Sequence, residues 1–220
     1  MPEALPSRGD ETWVDGRSQR AARTRQLVVE TFLDLLDEGV VQPTAQQVSD
    51  RCGVSMRSIF RLFDDVEALH SAAIATQIHR VSPLLVSLDA AGPLERRVRS
   101  LVDSRAHLFE AISPVRRMAV RLATTSRPIR ADLDLANDFF RSQVAELFDV
   151  ELVSLSRARR AEVLDTLDAL ASWESWERLR RVQGVPERRA RRIVAGMVRA
   201  VLAGADVIAD PIPDDTGANP

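Results

Sequence analysis

Residues 44–69, TAQQVSDRCGVSMRSIFRLFDDVEAL, spell two short helices joined by a sharp turn and then the start of a third. Thr44 is a good helix N-cap, and Gln47 three residues on completes a capping box. Ala45, Val48 and Cys52 give the first helix one small apolar face. Gly53 supplies the permissive backbone that lets a helix end in a reversal. Ser55 can cap the next helix, with Ile59 and Leu62 inward and Met56, Arg57, Ser58 and Arg61 largely outward. Two short amphipathic helices around such a turn have the layout of a helix-turn-helix, whose second helix enters the DNA major groove.

The same residues carry a resemblance. Cys52-Gly53-Val54-Ser55, then Ile59-Phe60-Arg61-Leu62-Phe63, then Val66-Glu67-Ala68-Leu69 resemble the DNA-binding domain of TetR-type transcriptional regulators. The resemblance covers roughly residues 20–69; further on it rests on length, helical character and the closing helices. It implies an all-α fold, with an N-terminal three-helix helix-turn-helix domain followed by a helical-bundle effector and dimerisation domain. It also implies a homodimer on a palindromic operator of double-stranded DNA, with a small-molecule effector, unknown here, that releases a repressor. The family often carries Tyr, His or Tyr, and Lys where this chain has Phe60, Leu62 and Val66. Phe60 and Val66 cannot make the phosphate bonds that such residues make.

Composition sets the outer bounds. The 220 residues are enough for one larger or two smaller domains, and 45% hydrophobic with 28% charged residues is ordinary for a globular protein. Formal net charge is −2, so nucleic-acid binding has to come from a local patch. A single Cys excludes an intrachain disulfide and fits a reducing cytoplasm. The acidic opening lacks an apolar run and does not read as a signal peptide. No apolar stretch approaches the ~20 residues that span a bilayer, so no membrane partner is expected. Every basic side chain is Arg, so every cationic contact uses a planar guanidinium.

Along the chain, residues 1–16 read as a disordered acidic tail. Arg17, Arg20, Arg23 and Arg25 crowd the lead-in to a helix ending at Gly39, with Val28, Phe32, Leu35 and Leu36 as its core stripe. Arginine at a helix N-terminus opposes the macrodipole. That mild cost favours a phosphate-binding role for the cluster over a merely solvated helix start. Residues 17–65 form the expected head; over 17–63, seven arginines stand against five acids. Residues 66–208 form the body: a helix to Val81, one from Pro93 to Ile112, and another opened by Ser113-Pro114. Two more run from Pro128 to Leu147 and from Ser156 to Val182, and a last starts at Pro186. Residues 209–220 read as a second disordered tail.

Catalysis finds no support, and no cofactor or metal is expected. The three histidines, His70, His79 and His107, have no partner at helical spacing. Neither a phosphate loop nor a nucleophile elbow occurs. Cys52 fills the small-residue slot before the turn and reads as packing rather than a redox sensor.

For DNA contact the candidates are Arg20, Arg23, Thr44, Ser55, Met56, Arg57, Ser58, Phe60 and Arg61. Arg57 is the first choice for base readout, because its fork can bond guanine O6 and N7 together. Candidate ligand-pocket residues in the body are Met118, Leu122, Phe140, Trp173 and Trp176, with Phe139 beside them and His107, Arg121 and Asn137 as polar anchors. Plain core is the competing reading. On the last helix Arg192, Gly196, Ala200 and Gly204 fall at four-residue steps, flanked by Met197 and Val201. Leu164, Leu167, Leu170 and Ala171 give the preceding helix a matching face. Mid-helix Gly costs ~1 kcal/mol against Ala, which points to close packing; the resemblance implies a dimer interface there, and packing within one subunit is the competing reading. The alternative to the whole reading is a helical DNA- or protein-binding module without small-molecule control.

Overall fold

The computed structural model describes the backbone of residues 11–205, and side chains from residue 16 onward. The expected tail at 209–220 lies outside the described residues, as does most of that at 1–16. Ten α-helices and no strand occur among the described residues: α1 Glu11–Asp37, α2 Ala45–Cys52, α3 Met56–Leu62, α4 Val66–Val81, α5 Leu94–Leu122, α6 Arg127–Leu147, α7 Asp149–Leu152, α8 Arg157–Leu170, α9 Trp173–Glu177 and α10 Glu187–Ala203. The all-α expectation therefore stands. α1 starts at Glu11, so residues 11–16 are helical where a tail was expected.

The chain forms two compact units. One comprises the described residues up to Ser82 with Ile112–Arg130, the other Pro83–Ala111 with the described residues from Ala131 on. In the first, α1 packs on α2, α3 and α4. Its stripe Val28, Val29, Phe32, Leu33, Leu35 and Leu36 is buried as the periodicity requires, against Val48, Ile59, Phe63, Leu69 and Ala73. Each large side chain so buried contributes about 1.5–3 kcal/mol. Polar ties fix the element ends. Arg80 at the end of α4 pairs with Glu30 of α1, and the Ser126 hydroxyl donates to Glu67.

Two expectations about the body are corrected. Ser113-Pro114 does not start a new helix: α5 runs unbroken from Leu94 to Leu122 with Pro114 inside it. Pro114 has no N–H and forfeits its bond to the Glu110 carbonyl, an interruption that costs ~3 kcal/mol in a free helix. Burial of Leu108 and Phe109 before it, and of Val115, Met118 and Ala119 after it, holds the helix through the defect. The helix expected over 156–182 is instead broken after Leu170. The Ser172 hydroxyl oxygen accepts from Ser175 N at 3.2 Å, and both serine hydroxyls donate to the Ala169 carbonyl at 2.7 Å. Such local serine–backbone bonds compete with the helical ladder and restart it as α9, followed by a π-helical turn Arg178–Val182.

The second unit packs α8 on α10. Val163, Leu167 and Ala171 on one side, and Ala190, Val194, Val198 and Leu202 on the other, are its buried stripes. Short α7 was not foreseen. Glu151 on it takes the fork of buried Arg97, whose Nη1 also donates to the Leu147 carbonyl at 2.7 Å.

Candidate nucleic-acid interface

The turn between α2 and α3 is built by three local devices. The Thr44 side chain accepts from Gln47 N at 3.2 Å while Gln47 Oε1 accepts from Thr44 N at 2.9 Å, the full capping box. Gly53 closes α2 at φ 71°, and its N–H bonds the Ser49 carbonyl. Ser55 caps α3 by accepting from Ser58 N at 3.3 Å. Ile59, 1% exposed, then anchors α3 to the core.

With Ile59 turned inward, helical geometry presents the opposite side of α3 to solvent. Arg57, Phe60 and Arg61 are exposed, and Met56 and Ser58 are half-buried. Of the three positions that depart from the family pattern, Phe60 and Val66 are apolar and exposed, at 46% and 39%, and Leu62 is half-buried. An aromatic ring standing in water here is a group that can meet deoxyribose or a thymine methyl.

The arginines sort into two kinds. Arg51 is committed to Glu38 at the end of α1, with Nη1 to Oε2 at 3.1 Å and a second bond from Nη2. Arg25 lies over the Phe63 ring at 4.7 Å. By contrast Arg17, Arg20, Arg23, Arg57 and Arg61 are exposed and make no side-chain hydrogen bond or ion pair among the described residues. Arg17 and Arg20 of α1 and Arg61 of α3 line an open groove of about 790 Å³ with Ser55, Ser58 and the backbone at Gly53. Arg23 is not among its walls. A concave site with three unneutralised guanidinium groups and two hydroxyls is suited to phosphate oxygens. The sequence showed each of these residues but not that they share one groove.

Beneath this surface His70 is 5% exposed, its ring 5.5 Å from that of Phe32, and Nε2 has no partner. Burial pushes its pKa down, against the opposing pull of Glu67 and Asp65.

The residues singled out in the body fall as follows. Met118, Arg121 and Leu122 belong to the first unit; His107, Asn137, Phe140, Trp173 and Trp176 belong to the second. Met118, Phe140, Trp173 and Trp176 are buried and Leu122 is half-buried, whereas His107, Arg121 and Asn137 are exposed. His107 is out of phase with the buried residues Arg105, Ala106, Leu108 and Phe109 beside it. The polar group that does lie buried beside Phe140 is Arg105, which the sequence reading missed. Its guanidinium sits 4.2 Å over the Phe140 ring and donates to the Phe140 carbonyl at 3.0 Å, and burial lowers its pKa to about 10. Trp176 Nε1 donates to Glu110 at 2.9 Å, and Arg180 binds the same carboxylate.

Of the residues assigned to an interface, Gly196 and Ala200 are exposed, and Leu164, Leu170, Met197, Val201 and Gly204 are half-buried. Leu167 and Ala171 are corrected to core, because the packing of α8 on α10 closes over them within one chain. Among the described residues no helix is long and apolar enough to cross a membrane, and no group of three or more His, Cys, Asp or Glu could hold a metal ion.

The fold is similar to that of a solved TetR-family transcriptional regulator from Streptomyces coelicolor, with a TM-score of 0.66 over 85% of this chain and 83% of that one. Sequence identity is 17%, so the likeness establishes the fold alone. No protein-family model and no curated protein matches the chain.

Proposed function

We propose that the chain is a DNA-binding transcriptional regulator, working as a homodimer that represses from a palindromic operator. One observation carries the reading: a capped helix-turn-helix that displays Arg57 beside an arginine-lined groove with no counter-ion among the described residues. α3 would lie in the major groove with Arg57 on a guanine edge. Arg17, Arg20 and Arg61 would hold the flanking phosphates that Phe60 and Val66 cannot bond, with Arg23 and Thr44 adding phosphate contacts. A dimer through α8 and α10, using Leu164, Leu170, Gly196, Met197, Ala200, Val201 and Gly204, would set two such helices one DNA turn apart, ~34–36 Å.

Release by a small ligand in the helical body completes the proposal. Phe140, Trp173 and Trp176 would be its apolar contacts. Arg105, a buried cation with Asp168 acting on it through space but no carboxylate at bonding distance among the described residues, makes an acidic group on that ligand the natural complement. The reading places the protein in a cytoplasm, in the company of DNA.

A band shift with the chain's own upstream region tests the proposal. Retardation of a duplex containing an inverted repeat, lost on substituting Arg57, is the expected result. No binding even at low salt overturns it.

A further inference from the structure

α5 and α10 run antiparallel in the second unit, joined across by two charged rungs. At one end Arg199 Nε donates to both carboxylate oxygens of Glu95, at 2.8 and 2.9 Å. At the other, Arg191 Nη1 donates to Asp103 at 2.9 Å, while Nε of the same guanidinium donates to Glu187 at 3.0 Å. The rungs are eight residues apart on each helix, about 12 Å at 1.5 Å per residue. The register places Arg99 midway on α5 and Ala195 midway on α10. A third rung would need an acid at 195. A methyl group stands there instead, and the two positions border a groove of about 430 Å³ floored by buried Val102.

The charges in the groove do not cancel. Arg191 spends its donors on Asp103 and Glu187. Arg199 spends Nε on Glu95, and its two Nη groups make no hydrogen bond among the described residues. Arg99 and Arg192 are exposed and make no hydrogen bond or ion pair among the described residues. Three guanidinium groups thus present unused donor forks around a concavity that a missing carboxylate leaves open. The groove lies to one side of the interface proposed above: Met197 stands about 200° round α10 from Ala195, while Arg192 shares the Gly196–Ala200 stripe and borders both.

We propose that this groove binds a small phosphate-bearing anion, with a diphosphate group as its chemical class. Three planar forks bordering one groove along about two turns of α10 match a compact group with many oxygens and more than one negative charge. A long polyanion is disfavoured, because Glu95 and Glu187 stand at the two ends and a continuous phosphate chain would run past both. The proposal does not depend on whether the head binds DNA.

Isothermal titration of the full chain with inorganic pyrophosphate in low-salt buffer is the test. Saturable binding of one pyrophosphate per chain is expected, weakened at least tenfold in the double variant Arg99→Ala/Arg192→Ala. Ala195→Glu should abolish it while leaving the melting temperature unchanged or higher, because the new carboxylate supplies the third rung. The double variant Arg20→Ala/Arg61→Ala should leave the pyrophosphate isotherm as it was. Absence of saturable binding overturns the proposal. So does binding that survives Ala195→Glu, binding abolished in Arg20→Ala/Arg61→Ala, or sulfate matching pyrophosphate in affinity. If Ala195→Glu weakens binding of a DNA duplex and not of pyrophosphate, the groove is a nucleic-acid surface and the small-anion assignment fails.

Discussion

Arg51 and Glu38 are locked together by a two-bonded fork that ties the last turn of α2 to the end of α1. An arginine so close to the turn would ordinarily be counted as a DNA contact, but its donors are already engaged. Arg20 and Arg23, on the exposed approach, have theirs free among the described residues. The two kinds should separate in a salt titration of operator binding. Arg20→Ala/Arg23→Ala should flatten the slope of log K against log salt by about 0.9 for each phosphate no longer neutralised. Arg51→Ala should leave the slope unchanged. Equal slopes in all three proteins would reject the α1 contacts.

Arg57 should behave differently from both. A fork on guanine O6 and N7 is worth about 1–3 kcal/mol of discrimination, so Arg57→Ala should weaken the specific site by roughly 5- to 150-fold. Binding to unrelated DNA should hardly change. Competition assays with specific and mixed-sequence duplexes measure the ratio; a uniform loss on both would make Arg57 a phosphate contact.

Gly53 holds φ at 71°, and a Cβ built there meets nothing within 4 Å. The cost of Gly53→Ala is therefore backbone strain without collision, about 1–2 kcal/mol. Chemical denaturation followed in the head should show a loss of that size. A much larger loss would reveal a contact that the geometry does not contain.

How far the sequence could be read follows the range of the interactions involved. Thr44, Gln47, Gly53 and Ser55 act within three or four residues of themselves, so the whole turn is visible in the string. Ser113-Pro114 looked equally local and misled, since burial on both sides of Pro114 outweighs its missing N–H. Ser172 was the reverse case: a good N-cap inside a pattern that otherwise reads as one helix. Arg97 and Arg105 fall in phase with Val98, Leu101, Val102 and Leu108 on α5, but their charge argued against core placement and hid that signal. Only the tertiary partners, Glu151 for one and Phe140 for the other, show how a cation is accommodated there. Grooves between helices distant in sequence, such as that around Arg17 and Arg61, left no periodic trace.

His70 makes the stability of the first unit depend on pH. Burial lowers its pKa in the folded state below the ordinary value of 6.5. Between the two values the unfolded chain binds more protons, so stability rises with pH there. The contribution is fully present above about pH 6.5, is lost as pH falls towards the folded value, and levels off below it. His70→Phe, which keeps a ring against Phe32, should remove the slope. Hydrogen exchange of α1 and α4 amides from about pH 8 to about pH 5, corrected for intrinsic rates, reads it directly. Equal slopes in both proteins would show that His70 is not the group responsible.

Gly196 separates the needs of one chain from those of two. Within the chain a Cβ at this position meets nothing within 4 Å, and the residue is exposed in the middle of α10. A lone chain should therefore gain from Gly196→Ala, by about 1 kcal/mol of helix propensity. In a dimer that packs through this stripe, the added methyl would instead push two backbones apart, and a larger side chain would do so more. Sedimentation equilibrium across a concentration series should then show weaker association for Gly196→Ala and a monomer for Gly196→Leu. Helix content by circular dichroism should be undiminished in both variants. A dimer as tight as the parent's in Gly196→Leu would move the interface off this face of α10.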